Sequence, residues 1–72
     1  MRIDVRIFGN LTSSRSVLVN LEKGSDLNDL LEHLDIAPSK TGIIFIDRRQ
    51  ALLDDVLKDG DNVTIIPPIG GG

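Results

Sequence analysis

A single helical pattern, set among strand patterns, is the feature that most constrains the fold of this chain. Its apolar positions follow the spacing i, i+3, i+4 and i+7 and are Leu27, Leu30, Leu31 and Leu34. This spacing predicts one amphipathic helix with one apolar stripe. Ser25 or Asp26 can cap its start, and Pro38 favours an end at about residues 35–37. One stripe needs one apolar surface to cover it, and one face of a sheet is sufficient.

Strand patterns lie on both sides of this helix. Polar and apolar residues alternate over residues 2–8 and again over residues 15–21, which is typical of half-buried strands. The turn-forming residues between them, 9–14, predict a β-hairpin. Residues 43–46 are a short apolar run with β-branched side chains. Residues 62–66 contain a second run of this kind at their end. Both runs are predicted to be strands because helices are rarely so short.

The stretch between these last two strands predicts only short elements. Residues 47–50 are interpreted as a polar turn, residues 51–53 as a brief strand and residues 54–57 as a single helical turn. Residues 58–61 form a predicted turn with a glycine available for positive φ. The whole order predicts an α+β fold, in which a mixed sheet of four to five strands packs on one α-helix. The first and last strands should be parallel neighbours in its centre.

Length and charge narrow the possible functions. The chain has 72 residues, no cysteine and a net charge of −3. This length corresponds to one domain with a small core, and without cysteine neither a disulfide nor a thiolate metal site is expected. The negative charge argues against a nucleic-acid partner. No segment approaches the roughly 20 apolar residues that span a membrane, so we expect no membrane partner and a soluble, cytoplasmic protein.

The chain is predicted to divide into a domain, residues 1–66, and a functional tail, residues 67–72. The tail consists of Pro67, Pro68, Ile69, Gly70, Gly71 and Gly72. Each proline fixes its own φ and pushes the preceding residue towards an extended conformation, so the tail should leave the domain as a short stiff arm. The glycines lack side chains and have the greatest backbone freedom. We therefore expect a flexible end that carries the Gly72 carboxylate on a narrow thread. A frayed terminus without function is the alternative.

The strand alternation leaves several apolar residues on the sheet face that points away from the helix. Phe8 shares that face with Arg6, and Leu18 and Ile66 lie opposite their core-facing neighbours. One or two of the apolar residues at 43–46 should join them. Because apolar patches often bind partners, we predict a partner-binding surface that includes Phe8, Leu18, Ile66 and Arg6. Ordinary surface exposure is the alternative.

The end of the chain resembles that of a known family. Residues 57–72 read Leu-Lys-Asp-Gly-Asp-Asn-Val-Thr-Ile-Ile-Pro-Pro-Ile-Gly-Gly-Gly, which combines a D-G-D turn, an apolar strand, a double proline and a terminal Gly-Gly. Together with the element order, this resembles the sulfur-carrier branch of the ubiquitin-like β-grasp fold. That branch includes the small subunit of molybdopterin synthase and the sulfur carrier of thiamin-thiazole synthesis. The double proline resembles the first type and the short link between helix and third strand the second, so the pathway stays open.

The resemblance implies a carrier rather than an enzyme. An E1-like activating enzyme would use ATP to adenylate the Gly72 carboxylate, which would then become a thiocarboxylate that donates sulfur in molybdopterin or thiamin-thiazole synthesis. The other implied partners are a sulfur donor such as a cysteine desulfurase and a sulfur-accepting synthase subunit. No cofactor is expected to bind the chain itself. Two alternatives stay open: a ubiquitin-like modifier joined to lysines through Gly72, and a β-grasp interaction module with an inert tail.

The remaining polar groups are interpreted as turn and surface residues. His33 is the only histidine and, without cysteine nearby, is interpreted as a helix-surface residue rather than a metal ligand. Asp54–Asp55, and Asp59 with Asp61, lack the spacing of a calcium loop and are interpreted as turn residues. Arg48–Arg49 is interpreted as a solvated turn rather than a phosphate site. No metal-binding or cofactor-binding residue is predicted.

Overall fold

A computed structural model describes residues 1–10 and 12–68, which form five strands, one α-helix and one 3-10 turn. In chain order they are β1 (Arg2–Asn10), β2 (Ser13–Asn20), α1 (Leu27–His33), the 3-10 turn Pro38–Lys40, β3 (Ile43–Ile46), β4 (Arg49–Gln50) and β5 (Asn62–Ile66). The strands form one sheet in the order β2-β1-β5-β3-β4. β1 and β5 are parallel, and the other neighbouring strands are antiparallel. The prediction of a mixed sheet with parallel first and last strands inside it is confirmed.

One face of the sheet and one face of the helix enclose the core. The strands contribute alternate residues, as expected from the opposite directions of successive side chains. The buried strand residues are Ile3, Val5, Val19, Ile44, Ile46, Val63 and Ile65. From α1, Leu27, Leu30 and Leu31 are at most 1% exposed, which confirms the predicted stripe, whereas Leu34 is half-buried just after the helix. Leu57 is also buried, so the core is aliphatic throughout.

Asp26 caps the start of α1. Its carboxylate accepts a hydrogen bond from the backbone N–H of Asp29 at 3.0 Å, and the Asp29 carboxylate accepts one from the N–H of Asp26, also at 3.0 Å. This reciprocal pair is a capping box, which satisfies two otherwise free donors. The Ser25 hydroxyl instead donates to the carbonyl of Glu22 at 2.7 Å. Of the two caps that the sequence left open, the chain uses Asp26.

The helix ends earlier than the sequence predicted. Asp35 has a φ of 57°, and the N–H of Ile36 donates to the carbonyl of Leu31 at 2.9 Å. This combination is a Schellman ending, which satisfies carbonyls that the helix leaves free. The prediction, which relied on Pro38, placed the end two to four residues beyond the observed last residue, His33.

The segment between β3 and β5 also differs from its prediction. The predicted turn over residues 47–50 is confined to Asp47–Arg48, because Arg49–Gln50 pair with β3 as the strand β4. Residues 51–53 are not a strand, and residues 54–57 form no helical turn. Val56 instead makes an isolated bridge to Asp26. The partner of Val56 belongs to the distant start of α1, which the local pattern could not show. β4 pairs locally with β3 across the turn Asp47–Arg48, but its composition is polar and carries no strand pattern.

The turn at Asp59-Gly60-Asp61 ties β5 to the start of β1. Gly60 has a φ of 87°, a conformation that glycine adopts without steric cost, and its N–H donates to the carbonyl of Arg2 at 2.8 Å. The Asp59 carboxylate accepts the N–H of Arg2 at 2.7 Å, and the Asp61 carboxylate accepts that of Lys58 at 2.7 Å. Both aspartates therefore act as turn residues, as interpreted, and they fix where β5 begins beside β1.

Replacing Leu30 with alanine should lower the free energy of unfolding by about 2–5 kcal/mol, as for other buried leucines, because the side chain is 0% exposed. Leu34→Ala should cost less, since Leu34 is only half-buried. Leu52, which is 69% exposed, is the matched control, and its alanine variant should stay within about 0.5 kcal/mol of the parent. Urea unfolding measures all three. A loss below about 1 kcal/mol for Leu30→Ala, typical of surface changes, would contradict the placement of the stripe.

Candidate functional site at the root of the tail

The last described residues show how the tail leaves the domain. β5 lies between β1 and β3, so the chain leaves from the centre of the sheet. The carbonyl of Ile66 accepts a hydrogen bond from the N–H of Gly42 at 2.7 Å, Pro67 is half-buried and Pro68 is exposed. We call Ile66, Pro67 and Pro68 the tail root. Residues 69–72 lie outside the described residues, so the flexible tail and the reactive Gly72 carboxylate stay predictions.

An apolar patch borders the tail root on the outer sheet face, which points away from α1. Ile66 pairs with Ile43 across β5 and β3, and the next pair on that face is Thr64 with Phe45. Ile7 and Ile65 are partners in the parallel pair, so the residues that follow them, Phe8 and Ile66, are neighbours on the outer face. We call Phe8, Ile43, Phe45 and Ile66 the outer-face patch. Of the apolar residues at 43–46, one or two were expected on the outer face, and Ile43 and Phe45 lie there.

Arg6 and Leu18 occupy different positions relative to this patch. Arg6 pairs with Thr64 on β5 and therefore lies one step from Phe8 on the same face. Leu18 is 54% exposed but pairs with Asp4, on the far side of Arg6 from the patch. The fold therefore brings together three of the four residues predicted to bind a partner and sets Leu18 apart.

A groove beside the tail root, which Phe8 of the outer-face patch also lines, carries two cations that the sequence analysis did not identify. Ile7, Ile36 and Pro67 line its apolar part, and Arg15 and Lys40 line its polar part. Both cations are exposed. Arg15 comes from β2 and Lys40 from the 3-10 turn, so only the tertiary fold brings them to one place. No pattern in the sequence signals their proximity.

Gly42 is the third residue of the site that the sequence analysis missed. A methyl group in the Cβ position of Gly42 would lie 2.7 Å from the carbonyl oxygen of Pro67 and 3.0 Å from the Cα of Pro68. The backbone of residue 42 therefore approaches the tail root more closely than any side chain allows. A glycine directly before a β-branched strand was the only available signal, and it is a weak one.

The other polar candidates lie away from the tail root. His33 is exposed at the end of α1, and Arg48 lies in the turn between β3 and β4. Within residues 1–10 and 12–68, no three His, Cys, Asp or Glu side chains group as metal ligands would. In the same part of the chain, no helix has the length and apolar character needed to cross a membrane. The described residues around the tail root are thus those of the outer-face patch, the groove and Gly42.

Several solved structures share this fold. SAMP1 from Haloferax volcanii is similar with a TM-score of 0.75 and 19% identity, over 100% of both chains. A putative molybdopterin converting factor subunit 1 from Pyrococcus furiosus has a TM-score of 0.74 and 22% identity, over 94% of this chain and 98% of that one. A chain in the complex of subunits 1 and 2 of the molybdopterin-converting factor from Helicobacter pylori 26695 has a TM-score of 0.68 and 26% identity, over 100% of both. The predicted ubiquitin-like β-grasp fold is confirmed.

Sequence comparison gives one family. No curated protein matches the chain in sequence. The model of the ThiS family, however, matches residues 5–72, from the middle of β1 to the last glycine. Because this match spans nearly the whole sequence, it confirms the resemblance drawn from residues 57–72, and the chain belongs to the ThiS family of small ubiquitin-like β-grasp proteins.

Proposed function

We propose that this protein is a sulfur carrier whose Gly72 carboxylate is adenylated and then converted to a thiocarboxylate. The observation that carries the proposal is the family match over residues 5–72, which includes all six tail residues. The position of the tail supports it, because a chain that leaves from the central strand of the sheet starts from a firmly held root. A terminal Gly-Gly-Gly adds no side chains that would obstruct a narrow channel.

The chemistry follows from the poor reactivity of a carboxylate. An ionised carboxylate resists attack until one oxygen becomes part of a good leaving group. Attack of the Gly72 carboxylate on the α-phosphate of ATP would release pyrophosphate and form an acyl adenylate. The terminal sulfur of a donor persulfide, such as that of a cysteine desulfurase, would then attack the acyl carbon and displace AMP, which gives an acyl disulfide. A thiol would reduce the S–S bond of that disulfide and release the thiocarboxylate, while the thiol and the donor cysteine form a disulfide. In this scheme the activating enzyme binds ATP and supplies the catalytic groups, while the carrier supplies the reacting carboxylate and acts as a substrate.

The outer-face patch is the proposed docking surface for the activating enzyme and for a sulfur-accepting synthase subunit. It shares Ile66 with the tail root, so a partner that covers the patch also fixes the place from which the tail enters its active site. Positioning of this kind can supply a large part of the rate of a two-reactant step. The similar Helicobacter pylori protein is in a complex of two molybdopterin-converting factor subunits, which supports a synthase partner here.

A ubiquitin-like modifier is the second candidate. The similarity to a ubiquitin-like protein from Caldiarchaeum subterraneum, with a TM-score of 0.60 and 12% identity, concerns the fold alone. A modifier would use the same acyl adenylate, but its Gly72 would end in an isopeptide bond to a lysine of another protein. The two functions therefore differ in what happens after activation.

Deleting Gly72 should abolish ATP–pyrophosphate exchange by a cognate activating enzyme while leaving the thermal unfolding temperature unchanged. The deletion shortens the arm by about 3.3–3.6 Å, and a displacement of 1 Å from attack geometry can already cost about a hundredfold in rate. The matched control is full-length protein with a C-terminal carboxamide on Gly72, made beside the free acid by the same ligation route. It keeps the reach and removes only the carboxylate, so it should also be inactive. Normal exchange by either protein would contradict activation at Gly72.

Whole-protein mass spectrometry of the protein purified from its native cells should show a form heavier by one sulfur-for-oxygen exchange. The reason is that a carrier accumulates its thiocarboxylate between the donor and the acceptor. Treatment with a thiol-alkylating reagent should shift that form and spare the free acid, because only the thiocarboxylate has a nucleophilic sulfur. Adducts that join Gly72 to lysines of other proteins would favour the modifier instead. If actively growing cells contain neither the thiocarboxylate form nor such adducts, the interaction module is favoured.

Phe8→Ala should weaken docking without preventing chemistry. Loss of a central aromatic side chain from an interface commonly costs more than 1 kcal/mol, so the KM for the carrier in the exchange assay should rise about tenfold, equivalent to about 1.4 kcal/mol. The value of kcat should stay near that of the parent. Leu52→Ala removes a side chain that is 69% exposed and lies outside the patch and the tail root, and its KM should not change. Equal KM values for the two variants would remove the outer-face patch from the docking surface.

A further inference from the structure

We propose that Gly42 is a positioning residue that sets the direction in which the tail leaves the domain. The inference rests on the proposed function, because direction matters only if the tail must reach a partner's active site. It adds to that function a residue that lies 30 positions before the reacting group. Neither the docking patch nor the terminal glycines imply this role.

The geometry shows why residue 42 needs to be glycine. A Cβ atom there would lie 2.7 Å from the carbonyl oxygen of Pro67, 2.9 Å from its carbonyl carbon and 3.0 Å from the Cα of Pro68. The first distance is well below 3.4 Å, at which ordinary contact begins. All three atoms belong to the backbone, so no side chain can rotate out of the way. A substituted residue 42 would have to push the tail root aside or move itself.

The other glycines in the described part of the chain have different reasons for their places. Gly24 and Gly60 have φ values of 94° and 87°, with open space where a Cβ would point. Glycine at these two positions therefore serves to allow a positive φ. At Gly9, a Cβ would meet only the Ser13 hydroxyl oxygen, at an ordinary 3.9 Å. Among these residues, Gly42 alone is required for space, and that space lies against the tail.

The tail root is suited to pass a displacement caused at residue 42 on to the tail. The N–H of Gly42 donates to the carbonyl of Ile66 at 2.7 Å, so the chain is held immediately before the two prolines. The rings of Pro67 and Pro68 fix φ at two successive residues, which leaves little freedom to absorb a push. Four residues follow Pro68, and in extended form they span about 13–14 Å. A change of direction at the root therefore shifts the mean position of the end of this glycine-rich segment, although its glycines rotate freely.

The expected kinetic effect differs from that of a docking defect. Gly42→Ala changes no side chain of the outer-face patch, and the atoms that its methyl group would meet belong to Pro67 and Pro68 rather than to Ile66, so the KM for the carrier should stay within about threefold of the parent. A misdirected tail reaches attack geometry less often, and because an error of about 1 Å can cost about a hundredfold, kcat for ATP–pyrophosphate exchange should fall by about 10- to 100-fold. Gly9→Ala is the matched control, since it adds the same methyl group at an exposed glycine with room for it. Its kcat and KM should both equal those of the parent.

A second measurement needs no activating enzyme. The chain has no cysteine, so Ser16→Cys gives a single site for a nitroxide on β2, two strands from β5 and outside the groove that Gly9 and Pro67 line. In the free protein, the nitroxide broadens amide signals of residues 69–72 according to their distance from it. Gly42→Ala should change this broadening, whereas Gly9→Ala should not. Signals of the core should stay the same in all three proteins, which excludes a general change of structure.

The outcomes separate this proposal from the proposed function. Lower kcat with unchanged KM, together with altered broadening, supports the positioning role. Parental kcat and parental broadening in Gly42→Ala would overturn it, and so would a Gly42→Ala chain that fails to fold, because Gly42 would then support the fold rather than the tail. Rates are expressed per folded molecule from a thermal melt. If the parent itself shows no exchange, the proposed function fails, and the broadening still decides whether Gly42 directs the tail.

Discussion

The parallel pairing of β1 and β5 is the constraint on which the rest of the structure depends. It joins the two ends of the sequence, and hydrogen bonds from the D-G-D turn fix its start: Gly60 donates to Arg2, and Asp4 donates to Asp61 at 3.0 Å. Because the register is set at that end, residues Val63 and Ile65 fall on the core face beside Val5 and Ile7. A shift of one residue would move the whole apolar set to the outer face. The same register places Ile66, the residue before the tail, on the outer face.

Successive residues of β5 belong to different surfaces: some lie in the core, and Ile66 lies in the proposed docking surface. Val63 and Ile65 are at most 3% exposed in the core, whereas Ile66 faces outward, beside Ile43, and leads into Pro67. Neither Pro67 nor Pro68 is among the buried core residues, so a change at either removes no side chain from the core. In the proposed function, docking of the domain and entry of the tail into the partner are coupled, because Ile66 belongs to the patch and to the tail root. A partner that recognises the patch receives the tail from a fixed place.

Side-chain periodicity carried enough information to predict most of the fold, and it failed where pairing or packing with another segment, rather than burial along one element, decides the structure. The alternation over residues 2–8, the apolar run at 43–46 and the strand at 62–66 each reflect burial along one element, so the sequence shows them directly. β4 is only two residues long, and its pairing with β3 rather than its composition makes it a strand. The cations Arg15 and Lys40, and the contact of Gly42 with the tail root, likewise depend on packing between separate segments.

The order of prolines and glycines in the tail sequence suits the arm that the proposed function requires. An error in direction grows with distance, so restraint is most effective at the root, where Gly42 holds Ile66 and two prolines limit rotation. Bulk matters most at the tip, where the sequence has three glycines. Reversing this order, with glycines at the root and prolines at the end, would give an arm that swings freely and obstructs a narrow channel. Gly42 contributes to the restraint at the root, although it is itself a glycine. Its missing side chain lets two backbone segments meet and restrain each other.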